Sequence, residues 1–130
     1  MMDFDMITIR DDVSLEVVSR YLRRFDALPD HTDKLFVVDN DGLLQGVLPV
    51  KKLLVSSPDL LVADVMSADP VVFDPEDDAS EAAQAFERYD LISAPVVDAQ
   101  GKLFGRLTID EMVDYIREES EQEVLSAAGL

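Results

Sequence analysis

A chain that matches itself at a nearly fixed offset has to fold as two copies of one unit, and this sequence does so along most of its length. Met2, Asp5, Ile7 and Ile9 align with Met66, Asp69, Val71 and Phe73 at an offset of 64. Glu16, Val17, Val18 and Tyr21 align with Glu81, Ala82, Ala83 and Phe86 at 65. In the third block, VVDNDGLLQGVLPVKKL from Val37 matches VVDAQGKLFGRLTIDEM from Val96 at 59. It pairs Asp39, Gly42, Leu44, Gly46, Leu48 and Leu53 with Asp98, Gly101, Leu103, Gly105, Leu107 and Met112. The fall from 65 to 59 gives the first copy six extra residues, within the polar stretch LPDHTDK. They read as a surface loop insertion, which adds little closure entropy.

Apolar alternation in MDFDMITI and MSADPVVF predicts a strand at the start of each copy, and the helical spacing that follows predicts an amphipathic helix. Asp followed three residues on by Gly, between apolar segments, predicts a β-hairpin with Gly at positive φ. Each unit is therefore strand, helix, strand, hairpin, strand, short helix, from about Met2 to Leu54 and from about Met66 to Ile116. Neither hairpin is stable alone, and each helix needs a sheet face to cover. The expected fold is α+β, with two repeats packed about an approximate two-fold axis and a cleft between them. A length of 130 residues, 48% of them apolar, favours one shared core.

Asp and Glu number 28 against 11 Lys and Arg, a net charge of −17. Such a field excludes nucleic acid, itself a polyanion, as a partner. It concentrates cations instead, and carboxylates are ligands that hard divalent ions prefer. Solubility is the competing explanation for the acidity. With no cysteine there are no disulfides or thiolate metal sites, which points to the cytoplasm. No apolar run approaches the roughly 18 residues of a membrane span, and the start MMDFDMITIRDD lacks a signal pattern, so no direct membrane insertion is expected. The only histidine, His31, falls in the insertion and reads as a solvated loop residue; with no nucleophile motif, the chain is not expected to be an enzyme. Met66 and Met112, among apolar neighbours, read as core filling.

The run YDLISAPVVD from Tyr89 to Asp98, followed by GRLTIDE from Gly105 to Glu111 on a duplicated unit, resembles the paired CBS (Bateman) regulatory modules. The segments GVLPVKKLL, SPDLLVADVM and REESEQEVLSAAGL are similar, more narrowly, to the cytosolic CBS pair of MgtE-type magnesium transporters. The resemblance implies two tandem β-α-β-β-α repeats, at 1–60 and 61–119, with 120–130 beginning a connecting helix. It implies a homodimeric Mg2+ sensor on the cytoplasmic side of the cell membrane, which gates a pore by closure of the dimer and its domains. It also implies an acidic N-terminal domain before the pair and a transmembrane domain after it. These 130 residues then read as a fragment unable to transport anything alone.

Carboxylates are densest from Asp110 to Glu123, where Asp110, Glu111, Asp114, Glu118, Glu119, Glu121 and Glu123 surround only Arg117. On one helix Asp110, Asp114, Glu118 and Glu121 share a face, and like charges so spaced repel by some tenths of a kcal/mol per pair. A bound divalent ion reverses that sign, and two such helices in a dimer share the benefit; a solvated helix face is the alternative. In a second acidic run, Asp78 with Glu81 fits a helix cap. The resemblance implies that Glu76, Asp78 and Asp98 face the missing N-terminal domain, with Mg2+ bridging the two. It also implies a cleft for ATP or AMP, bound in related pairs through a Thr-x-x-Asp pattern. Thr108 and Glu111 approximate that pattern, together with the backbone of Ile92, Ser93, Ala94 and Pro95, although Thr-x-x-Glu is equally a capping box. The first copy has Pro49 and Lys52 at the aligned positions, so one nucleotide site at most is expected. No Gly-rich phosphate loop accompanies it.

Overall fold

The structure, a computed structural model, describes residues 2–127. In the first repeat β1 (Thr8–Arg10), α1 (Leu15–Leu22), β2 (Lys34–Val38), β3 (Leu44–Pro49) and α2 (Val50–Val55) follow in order. A short α3 (Val62–Val65) lies in the connection. The second repeat supplies α4 (Ala79–Tyr89), β4 (Ser93–Val97), β5 (Leu103–Thr108) and α5 (Ile109–Ala127). β1 runs parallel to β2, β2 pairs antiparallel with β3, and β4 pairs antiparallel with β5.

The expected duplication is visible in local chemistry. Ser14 caps α1 and Asp78, its counterpart at an offset of 64, caps α4. Both hairpins turn on a glycine at positive φ, Gly42 at 82° and Gly101 at 85°. In each turn one carboxylate oxygen, of Asp39 or Asp98, accepts two backbone N–H groups. Each repeat has its own apolar centre, one around Leu15, Val18, Leu35, Val37 and Leu48, the other around Phe73, Phe86, Ala94, Val96 and Met112.

Two sets of reciprocal hydrogen bonds join the repeats. At the hairpin tips Leu44 N donates to Gly101 O (3.0 Å) and Leu103 N to Gly42 O (3.1 Å), an exchange that an approximate two-fold axis requires. The segments that precede the repeats also cross over. Asp3 and Arg106 exchange backbone bonds of 2.8 Å in both directions, and Ser67 and Val47 do the same at 2.8 and 3.0 Å. Met66 thus packs against the first centre and Met2 against the second.

The crossover corrects the expectation that MDFDMITI and MSADPVVF each open their own repeat as a strand. Only Thr8–Arg10 is a strand, and in the second copy the ladder shrinks to one bridge between Phe73 and Val96. Pro70 and Pro75 flank that bridge, and neither has an N–H to extend it. The second repeat's closing helix is also not short: α5 passes through position 120 without a break, and residues 128–130 lie outside the described part. The segment just beyond position 60 packs with the first repeat, where Val62 is buried and its N–H donates to Val13 O.

Gly46 and Gly105 sit beneath the crossing segments. A Cβ at Gly46 would lie 2.4 Å from the Ser67 carbonyl oxygen, whereas one at Gly105 would meet mainly the Met2 side chain, at 2.8 and 2.9 Å. A thioether side chain can move and a paired carbonyl cannot. Gly46→Ala is therefore expected to cost about 1–3 kcal/mol in urea unfolding, and Gly105→Ala clearly less. Equal losses would mean that the two crossings are not held as described.

Candidate functional site

The antiparallel pairing of β4 with β5, and the turn from β5 into α5, place Arg106, Thr108, Asp110 and Glu111 on one wall of a cleft of about 400 Å3. The opposite wall is made by Met2, Asp3 and Asp5 from the crossing segment and by Asp30 and His31 from the insertion. Five carboxylates thus face a space that contains one arginine.

That arginine is 2% exposed, in the position where the first repeat has Val47. A buried guanidinium is tolerated only when its N–H groups are met, and here three acceptors meet them. Nε donates to Asp3 Oδ2 (2.9 Å), Nη1 to the His31 carbonyl (2.8 Å) and Nη2 to the Asp30 carbonyl (2.6 Å). The insertion is consequently not an idle surface loop. His31, at φ 60°, is not the solvated residue expected either: its Nε2 lies 2.8 Å from Asp110 Oδ2 and its side chain is 30% exposed.

At the start of α5, Thr108 donates to Glu111 Oε1 through its hydroxyl (2.8 Å) and its backbone N–H (3.2 Å). This is the glutamate half of a capping box: Glu111 accepts from the Thr108 N–H, while the Thr108 hydroxyl is spent on the same carboxylate oxygen. Burial, reinforced by the nearby Asp3 charge, pushes the Glu111 carboxyl above the usual range against the opposing hydrogen bonds from Thr108. The backbone assigned to a nucleotide runs beside this pair, with Ser93 opposite Thr108 in register, although none of residues 92–95 lines the cleft. Ser93, Ala94 and Pro95 are buried in β4, with Ser93 Oγ donating to Asp33 Oδ1 (2.6 Å) and Ser93 O accepting from Lys34 Nζ (2.8 Å). Ile92 is half-exposed, and its carbonyl accepts from Ile109 N.

The carboxylates assigned to Mg2+ are spread over three places. Asp114, Glu118, Glu119 and Glu121 are exposed along α5, and Asp110 is turned to His31. Asp78 caps α4, and hydrogen bonds from the Ser80 hydroxyl and backbone hold its carboxyl below the usual range. Asp98 is engaged in its turn, and Glu76 N donates to Asp74 Oδ1. Among the described residues no three His, Asp or Glu side chains converge to hold a metal ion. Sequence reasoning passed over Arg106, Asp3, Asp5 and Asp30. One signal was available: an arginine standing where the other copy has an apolar core residue.

Because its folded-state pKa is raised, Glu111 favours folding below the ordinary glutamate range, and that contribution is lost as pH rises through the folded pKa. Glu111→Gln keeps the acceptor and removes the titration. It is expected to match or exceed the parent in stability at neutral pH, with the gain disappearing in acid. Glu111→Ala strips the acceptor from Thr108 and costs about 1 kcal/mol. Urea unfolding at several pH values checks both; a neutral-pH loss in the Gln variant equal to that in the Ala variant would contradict the assignment.

A family profile for the CBS domain matches residues 1–58 and again 62–118. The magnesium transporter MgtE of Thermus thermophilus is 33% identical over 126 residues, which are 95% of this chain and 28% of that protein. The cytosolic domain of the Mg2+ channel MgtE in complex with ATP superposes with a TM-score of 0.83 at 33% identity, covering 88% of this chain and 46% of the other. The soluble part of a magnesium transporter gives a TM-score of 0.85 at 26% identity, over 91% and 46%. The chain spans about a quarter of the curated MgtE relatives, between 21% and 28% of their length. Among the described residues no helix is long and apolar enough to cross a membrane. With both halves matched separately and the crossed, two-fold architecture in place, the chain belongs to the CBS-domain family and carries two CBS domains in tandem.

Proposed function

We propose that this CBS pair is the Mg2+-responsive regulatory part of an MgtE-type magnesium transporter, acting on the cytoplasmic side and without catalysis. The observation that carries the reading is the exposed row Asp114, Glu118 and Glu121 on α5, where repulsion is built into one helix. Among the described residues no three ligands converge, which suits an ion shared with a second copy. Mg2+ keeps several waters and takes one or two carboxylates from any one partner, which suits a site completed by a second copy. Leu54 and Val55, 78% and 83% exposed on α2, with Ile116 on α5, give a homodimer apolar surface to cover.

In this reading repeats 1–60 and 61–119 form the sensor, and the stretch from 120 onward leads to the transmembrane domain. Glu76, Asp78 and Asp98 face an acidic N-terminal domain across further ions. Without Mg2+ the carboxylates hold copies and domains apart; with it, the closed state gathers oxygen ligands that the open state separates, and the equilibrium shifts by that difference in affinity. Closure moves α5 and, through it, the pore. Sites of this kind bind weakly, on the order of millimolar.

A second reading, adenosine-nucleotide sensing, is favoured by the ATP complex of a related cytosolic domain and by the cleft beside Thr108 and Glu111. Five carboxylates in that cleft weigh against a polyphosphate.

Thermal unfolding across a Mg2+ titration at constant ionic strength separates the readings, since binding to the native state raises the midpoint while screening is held fixed. The midpoint is expected to rise with Mg2+, to lose that response in the combined Asp114→Asn, Glu118→Gln, Glu121→Gln variant, and to keep it in Thr108→Ala. A flat Mg2+ response with a rise on ATP, lost in Thr108→Ala, would establish nucleotide sensing instead.

A further inference from the structure

We propose that Arg106 is a positioning residue that couples the N-terminal crossing segment to the insertion loop and, through that loop, to the start of α5. Its side chain is the meeting point of two parts of the chain far apart in sequence: the carboxylate of Asp3 and the carbonyls of Asp30 and His31. The guanidinium is planar and almost fully buried, so its three acceptors must be in place together. Displacing one of them strands a buried N–H, which loosens the hold on the other two.

The loop passes the constraint on. His31 Nε2 lies 2.8 Å from Asp110 Oδ2, in the first turn of α5, while Arg106 itself sits in the strand that runs into that helix. Asp3, Arg106, His31 and Asp110 thus form a continuous chain of polar contacts from the crossing segment to the helix. The first repeat carries the same backbone crossing, Ser67 on Val47, with an apolar side chain where the clamp would be. The clamp therefore centres on the second repeat's arginine and has no equivalent at Val47, and it gives the six residues inserted in the first repeat a purpose. Under the proposed function, which this consequence rests on, a displacement at the crossing segment would reach the pore-directed helix without any ligand in the cleft. The coupling itself does not depend on that reading.

Hydrogen exchange on the whole 130-residue chain tests it. Asp3→Asn removes the charge-assisted bond to Arg106 while leaving the backbone pairing of the crossing segment possible. Exchange in residues 28–33 is expected to quicken by at least about fivefold, relative to the β2 amides of 34–38, the change that losing one such bond implies. Arg106→Lys, which keeps the charge but cannot form the fork, is expected to quicken the loop and the crossing segment together. The proposal is overturned if Asp3→Asn loosens only residues near position 3, or if the loop and the β2 core quicken by the same factor, since the residue would then be structural and nothing more.

Discussion

Everything in this fold depends on an exchange: the segment before each repeat pairs with the last strand of the other. The backbone bonds at Asp3 with Arg106 and at Ser67 with Val47 satisfy groups that would otherwise be left on open strand edges. They also carry Met2 and Met66 to the opposite apolar centres. Because the hairpin tips exchange a further reciprocal pair, the two repeats are tied at both ends of the interface. A repeat with only two or three strands gains from its neighbour the pairing it cannot supply itself.

On this symmetric frame the side chains are asymmetric. At the position beneath the crossing segment one copy has Val47 and the other Arg106; at the helix start one has Pro49 and Lys52, the other Thr108 and Glu111. The substitutions act as a set. A buried arginine requires acceptors, the insertion supplies two of them, and the same loop brings His31 to Asp110. The result is an acid-lined cleft between β5 and the start of α5 on one side and the crossing segment and the insertion on the other, and the aligned positions Val47, Pro49 and Lys52 lack its arginine, threonine and glutamate.

Much of this was legible in the sequence. Repeats, hairpins, the Asp78 cap and the α+β class follow from offsets and residue chemistry, because Gly42, Gly101 and Asp78 act locally and their neighbours decide their roles. What could not be read was which partner a segment chooses. MDFDMITI alternates like a strand, yet alternation does not say that Met2 and Asp3 serve the other repeat. The insertion was polar and read as solvent-facing, since a loop's carbonyls carry no label in sequence; only the buried Arg106 explains where they point. For the site, the row of carboxylates on α5 was legible as a helix face and Asp78 as a cap, whereas the hold of the Asp98 carboxylate on two N–H groups of its own turn needed the backbone geometry. The Thr108–Glu111 pair fitted two roles in sequence, and in the structure its two side chains bond each other at the start of α5.

In the proposed function the ion is shared between copies, a reading supported by the lack of three converging ligands among the described residues of one chain. Sedimentation equilibrium with and without Mg2+, at matched ionic strength, addresses it most directly. The account predicts that the weight-average mass rises toward that of a dimer as Mg2+ is added, and that neutralising the α5 carboxylates abolishes the dependence. A mass that does not change with Mg2+, in a chain that nevertheless binds the ion, would contradict it.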